Sequence, residues 1–228
     1  MSTERIQGII FDLDGTLYQM KFLKLKMTVQ LLGSIVFLRK LFGARAVVRH
    51  TQYASRQALL NRFYEELASR TGKTTAEAQQ WYEKDFYRAF VQVLKKGAKP
   101  RNGLNSFLTR LRENGVKLAV VSDFSHVQER LEALGINPDF FDVMKCSEEH
   151  GVLKPAPEPF SSVARLWNLA PNEVLVVGDR ADSDGEGARN AGMPFLGIAD
   201  KQNSRADFYS WKDALMKIET ITNCGENV

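Results

Sequence analysis

The sequence predicts an α/β protein: a doubly wound parallel sheet with an all-helical insert after its first strand. Three observations carry this reading. From residue 104 onward, short apolar runs alternate with helical patterns, as they do where strands and helices wind an open parallel sheet. Between Lys21 and Lys96 no strand-like run bounded by turn signals occurs, and apolar residues recur at helical spacing. Charge divides along the same line: Gln19 to Lys99 carries 16 Lys+Arg against 5 Asp+Glu, a net of +11, and the remainder carries 15 against 22, a net of −7. Opposite blocks of charge suggest two modules, a core of residues 1–18 and 100–228 and a helical unit of residues 19–99. The plainer alternative is that Lys and Arg solvate helix surfaces.

Taken in order, Gln7–Leu13 reads as a strand, with Ile9, Ile10 and Phe11 continuous and a break at Asp14-Gly15. Such a run suits a strand buried on both faces. In the insert, Leu59, Leu60, Phe63, Tyr64 and Leu67 mark one apolar helix face, and Phe86, Phe90, Val91 and Leu94 mark another. Gly72 ends one helix and Thr74 or Thr75 caps the next. Gly97–Pro100 is a linker. Leu104–Glu113 is helical, Val116–Val121 a strand, and Val127–Leu134 a helix stopped by Gly135. Phe141–Met144 is a short strand, and Glu158–Leu169 a helix behind Pro155, Pro157 and Pro159. Val174–Val177 is a strand ending at Gly178-Asp179, and Asp184–Ala191 a helix closed by Gly192. Phe195–Ile198 is the last strand, and Asp207–Ile218 a terminal helix.

A length of 228 residues suits one medium domain with an insert. Hydrophobic residues at 44% and charged residues at 25% exclude extended disorder, collagen and a disulfide scaffold. Cys146, Cys224, His50, His126 and His150 do not fall at metal-ligand spacing, which excludes a structural zinc site. The cysteines read as reduced thiols of a cytoplasmic protein. Met1 to Gln7 is polar and does not read as a targeting segment. Met27–Leu38 is uncharged for 12 residues, short of the roughly 20 a spanning helix needs. It is expected to be a buried helix, and no membrane partner is expected.

Open parallel sheets place ligands at the carboxyl ends of their strands, and chemistry-bearing residues fall there. The first strand ends in Asp12-Leu13-Asp14-Gly15-Thr16. Alternation puts Asp12 and Asp14 on one side, about 7 Å apart, where they repel unless a cation or a proton intervenes. That permits an ionised nucleophile or ligand beside a proton donor and acceptor. The second strand ends in Ser122-Asp123 before a helix, where a hydroxyl and backbone N–H groups make an anion site. Lys154 lies in the loop Lys154-Pro155-Ala156-Pro157. The fourth strand ends in Gly178-Asp179, with Asp182 and Asp184 soon after. Acids from two strand ends form a hard-oxygen pocket suited to Mg²⁺.

These motifs, in this order, resemble the haloacid dehalogenase (HAD) superfamily of phosphohydrolases. The first is similar to Asp12-Leu13-Asp14-Gly15-Thr16-Leu17 and the second to Ser122. The third is similar to Lys154-Pro155-x-Pro157 with Phe160 following. The fourth is similar to Gly178-Asp179-x-x-x-x-Asp184 followed by Gly187-Ala188-x-x-Ala191-Gly192. The resemblance runs from about residue 6 to residue 200 and implies a Rossmann-like core with a helical cap hinged around Leu17–Met20. It implies a Mg²⁺-dependent phosphatase in which Asp12 attacks phosphorus to form an aspartyl-phosphate and Asp14 protonates the leaving oxygen and then deprotonates water. Ser122, with Asp123 beside it, would bind the phosphoryl group, and Lys154 would pair with Asp12 and that group. Mg²⁺ would bind Asp12, the backbone carbonyl of Asp14, Asp179 and Asp184. Dehalogenating members lack an acid two positions after the nucleophile, so Asp14 favours phosphate chemistry. A phosphomutase with the same core stays open, as does a non-catalytic protein binding anions or nucleic acid through its basic insert.

The resemblance also makes the insert the part that meets the leaving group. The expected substrate is a small phosphorylated metabolite, and a net charge of +11 favours one with a second anionic group. Lys24, Arg45, Arg49 and His50 are the candidates to read it. Asp182 and Arg180 read as local surface charges. Nucleic acid is a weaker reading, because Tyr53, Phe63, Tyr64, Trp81 and Tyr82 fall at core spacing. A homodimer through Val29–Leu38 is a third.

Overall fold

The computed structural model describes residues 5–20, 23–200 and 207–222, without the side chain of Lys24. Its core is one six-stranded parallel sheet in the order β3-β2-β1-β4-β5-β6. The strands are β1 (Gly8–Phe11), β2 (Lys117–Ser122), β3 (Val143–Cys146), β4 (Val174–Gly178), β5 (Phe195–Ile198) and β6 (Phe208–Tyr209). Ile9 and Ile10 are both fully buried because alternate residues serve opposite faces. Ile9 and Phe11 join Leu118, Val120, Leu175 and Val177 on one face. Ile10 joins Ala119, Val121, Val174 and Val176 against Phe160, Val163 and Trp167 on the other.

The helices are α1 (Leu23–Gln30), α2 (Ile35–Val48), α3 (Arg56–Thr71), α4 (Thr75–Gln80), α5 (Tyr87–Gly97), α6 (Leu104–Glu113), α7 (Val127–Ala133), α8 (Glu158–Trp167), α9 (Glu186–Asn190) and α10 (Trp211–Thr222). The first five make up the insert. Thr74 caps α4 through a reciprocal box with Glu77, and Gly72 ends α3 in the left-handed region. One wide turn, Trp81–Phe86, joins α4 to α5.

Four local expectations are corrected. Met27–Leu38 is not one buried helix. Its chain leaves α1 after Gln30, turns through Leu32–Ser34 and restarts as α2, leaving Val29 and Leu32 each 69% exposed. Gly33 lies in that turn. The sheet does not stop at β5, because Phe208–Tyr209 adds a two-residue edge strand, and α10 starts later than expected, at Trp211. The helix expected from Asp184 starts at Glu186, behind a wide turn over Ala181–Gly185. In the segment Leu17–Met20, around which a hinge is expected, Leu17 and Tyr18 are fully buried and Leu17 C=O accepts from Arg101 N–H at 2.9 Å, which leaves Gln19 and Met20 as its exposed part.

A buried ion pair fastens the insert to the core. Arg45, on the apolar face of α2, donates to Glu148 Oε1 at 2.8 Å, to the Tyr82 hydroxyl at 2.6 Å and to the Asp123 carbonyl at 2.5 Å. Glu148 also accepts from Tyr82 and from Ser125. Removing one partner strands a buried charge, whereas removing both does not. Arg45→Met is therefore expected to destabilise the fold by about 3–5 kcal/mol in urea denaturation, and Arg45→Met with Glu148→Leu by clearly less. Equal losses in the single and double variants would contradict the buried pair.

Candidate active site

Strand order reverses between β1 and β4, and the crevice beyond their carboxyl ends is where an open sheet takes ligands. Asp12 follows β1 directly, and Asp179 follows β4. Asp184 sits in the turn over Ala181–Gly185, where Gly178 leaves room for it: a side chain at Gly178 would collide with the Asp184 carboxylate. Gly15 is required twice over. Its φ of +92° disfavours a side chain, and a Cβ there would run into the Asp179 carboxylate.

Lys154 is buried at the centre. Its ammonium donates to Asp12 Oδ1 at 2.6 Å, to Asp184 Oδ1 at 2.7 Å and to the Val121 carbonyl at 3.2 Å. The loop that carries it is held by its own backbone: Lys154 N–H donates to Asp123 Oδ1 at 3.0 Å, and Lys154 C=O accepts from Arg49 at 2.9 Å. The Thr16 hydroxyl donates to Asp12 Oδ2 at 3.0 Å, so each Asp12 oxygen has a fixed donor. Burial pushes the Asp12 carboxyl above the usual range; the Lys154 ammonium pulls the other way, and Asp184 and Asp179 push it up further.

Asp12, Asp179 and Asp184 each offer an oxygen within 4.8 Å of the others. Three carboxylates this close repel. Burial, followed by Asp184, pushes Asp179 up to about 7. An all-oxygen, all-acidic set fits a hard divalent cation such as Mg²⁺. The Asp14 carboxylate is not part of this cluster.

Asp14 is held in a second cluster. β1 ends at Phe11, so the alternation expected to keep Asp12 and Asp14 together does not continue. Asp14 pairs with the buried Arg130 guanidinium and accepts from the Tyr18 hydroxyl at 2.6 Å and the Ser122 hydroxyl at 3.3 Å. Arg130 also donates to Ser122 Oγ at 3.2 Å and packs over the Phe90 ring of the insert, 4.6 Å from its centroid. Ser122 Oγ accepts from Phe124 N–H at 3.1 Å. Helix α7 begins only at Val127, so this hydroxyl stands a loop ahead of the helix rather than at its start. Asp123 lines the same cavity and steadies Lys154.

Four side chains escape the sequence reading: Thr16, Tyr18, Arg101 and Arg130. Arg101 donates to the carbonyls of Gly15 and Thr16, both at 2.6 Å, and so holds the loop after β1. Arg130 had a legible signal. It shares the stripe Val127, Leu131 and Leu134, where a cation interrupts the apolar spacing of a helix.

Arg45, Arg49 and His50 do not line the site as expected, and among the described residues the basic insert residue that does is Arg39. Arg45 is spent on Glu148, and Arg49 pairs with Asp182 at 3.4 Å besides holding the Lys154 carbonyl. His50 is exposed and away from the cavity, and the Lys24 side chain lies outside the described residues. Asp182 pairs with Arg180 at 2.8 Å as a local charge, while Arg180 does reach the cavity wall. That cavity has a volume of about 400 Å³ and runs from the acidic cluster into the insert. Eleven of its lining residues come from the insert, and nine of these are apolar.

A family model for haloacid dehalogenase-like hydrolases matches residues 6–192. The chain belongs to the haloacid dehalogenase-like hydrolase family. It is 40% identical over 93 residues to a glyceraldehyde 3-phosphate phosphatase of Pyrococcus abyssi, covering 40% of this chain and 39% of that one. The chain thus spans about two fifths of the length of the first curated relatives it matches. A longer match, 27% identical over 205 residues and 82% of each chain, is to the protein of the same name in Methanocaldococcus jannaschii. Among solved structures, the magnesium-bound HAD-hydrolase YfnB from Bacillus subtilis superposes with a TM-score of 0.68 at 19% identity, over 96% of this chain and 100% of that one. At that identity the likeness shows the fold.

A cation must bind the ionised form of Asp179. Because burial, and after it Asp184, holds that carboxyl up to about 7, raising the pH through 7 frees the carboxylate for a metal. Calorimetric titration of the metal-free protein with Mg²⁺ is expected to show affinity rising from pH 6 to pH 8. The Asp179→Asn variant is expected to bind Mg²⁺ more weakly and with a shallower pH dependence, the remainder coming from Asp12. Equal affinity at both pH values would contradict the crowded triad.

Proposed function

We propose that this chain is a Mg²⁺-dependent phosphoric monoester hydrolase that cleaves a small phosphorylated substrate through an aspartyl-phosphate on Asp12. The observation that carries the proposal is the buried Lys154 ammonium bridging Asp12 and Asp184, with Asp179 close by. This arrangement suits in-line transfer of a phosphoryl group to a carboxylate, because one fixed positive charge serves both the nucleophile and the transferred group. The phosphatase names of the relatives agree with it, and the magnesium reported for YfnB agrees with the hard-oxygen triad. Residues 19–99 act in this reading as a cap over the site.

Asp12 attacks phosphorus, and the bond to the ester oxygen breaks. Thr16 and Lys154 fix the Asp12 oxygens, so the attack costs little reorientation. Asp14, set by Tyr18 and Arg130 and carrying the proton taken from water in the preceding turnover, gives that proton to the leaving oxygen. It then takes a proton from the water that attacks the aspartyl-phosphate, releasing phosphate and restoring Asp12. Ser122 and Lys154 hold the phosphoryl oxygens through both steps. Asp12, Asp179, Asp184 and the Asp14 carbonyl would hold Mg²⁺, which would supply charge neutralisation to the site. A phosphomutase must instead retain and re-present its intermediate, a task for polar groups, and the apolar insert wall favours hydrolysis.

With Mg²⁺, the wild-type protein is expected to release phosphate from a generic aryl phosphate, and EDTA to abolish the release. Asp12→Asn is expected to lose more than about a thousandfold in kcat, and Asp14→Asn about 10²–10⁴-fold. Turnover that survives in Asp12→Asn would overturn the proposal.

A further inference from the structure

We infer that the substrate's leaving group is apolar: the protein takes the phosphate ester of an alkyl or aryl alcohol rather than of a sugar or a second anion. The inference rests on the phosphatase reading above and specifies its substrate class. The acidic cluster opens into the cavity, and the insert completes that cavity with Leu23, Met27, Leu38, Phe42, Phe86 and Phe90. Phe124, from the loop after β2, faces them, with ring centroids 5.7 Å from Phe86 and 6.0 Å from Phe90. Among the described residues, the insert adds one cation to the wall, Arg39, which is exposed.

Two arguments weigh against the polar alternative, although Arg39 and Arg180 also reach the wall. The insert's +11 charge suggests a reader of anions, but Arg45 and Arg49 are committed to Glu148, Asp182 and backbone carbonyls. A sugar hydroxyl against this wall would give up its water for leucine and phenylalanine, and an unpaired hydroxyl is costly to bury. An alkyl chain gains from the same transfer. Phe42 sharpens the point. It lines the cavity yet is 58% exposed, touching Phe124 only edge-on, so a bound apolar group covers surface that water now meets.

The test is a series of primary alcohol phosphates with Mg²⁺: methyl, ethyl, butyl and hexyl phosphate, beside glycerol 1-phosphate and glucose 6-phosphate. Primary alcohols of this kind have similar basicity, so the series reads binding to the wall. kcat/KM is expected to rise about fourfold per methylene, the equivalent of about 0.8 kcal/mol, and hexyl phosphate to exceed both polar esters. Phe42→Ser and Leu38→Asn are expected to lower the hexyl-to-methyl ratio, with circular dichroism confirming that both variants fold. A flat series, or a polar ester preferred over hexyl phosphate, overturns this inference and leaves the phosphatase reading standing, provided the aryl phosphate is still cleaved by wild type and not by Asp12→Asn. If no ester is cleaved at all, both fall together.

Discussion

The buried Lys154 ammonium is the constraint on which the site depends. Two carboxylates, Asp12 from the end of β1 and Asp184 from beyond β4, converge on it at 2.6 and 2.7 Å. Without it they would face each other, with Asp179, in a site that water barely reaches. Burying an ammonium is itself costly unless its partners are well placed, and here every part of the residue is held. Its head meets two carboxylates and a carbonyl, its N–H meets Asp123, and its C=O meets Arg49. Arg49 belongs to the insert, so the geometry at Lys154 is partly set by how the insert sits on the core.

The same logic explains why buried arginines recur around the site. Arg101 grips the carbonyls after β1, Arg130 grips Asp14, and Arg45 grips Glu148 and the Asp123 carbonyl. A guanidinium has five donors in a fixed plane, so one side chain ties together several oxygens at set angles. Of these, the Arg45 contacts cross between insert and core, while Arg101 and Arg130 tie core residues together, Arg130 also packing on Phe90 of the insert. Among the described residues, what the insert turns toward the cavity is mostly hydrocarbon, with Thr28 and Arg39 the exceptions.

Much of the fold was legible because local pattern and tertiary role agree. Ile9, Ile10 and Phe11 form a continuous apolar run, and both faces of β1 are buried. Thr74 and Gly72 punctuate helices where side-chain and backbone chemistry demand it. The meeting of Asp12 and Asp179 was legible from their places at strand ends, because a parallel sheet gathers those ends at one edge, whereas Lys154 and Asp184 lie in loops and the family resemblance brought them to the site. The rest was hidden for physical reasons. Val29 and Leu32 look buried by composition, but the turn at Leu32–Ser34 points them outward. The two-residue β6 is too short to carry a period. The partners of Asp14 come from the helix after β2 and from Tyr18, and no spacing in the sequence links them. Arg45 and Arg130 were visible only as cations within apolar stripes, and counting net charge passes over that signal.

The account turns on a phosphoryl group passing through Asp12. The most direct test is to mix the Asp14→Asn variant with Mg²⁺ and an aryl phosphate, quench in acid and map the peptides by mass spectrometry. Loss of the group that activates water should let the covalent species accumulate, with one phosphoryl group on Asp12 and none elsewhere. Phosphate release by the wild type with no phosphorylated Asp12 in either protein would contradict the account, because water would then attack the ester directly.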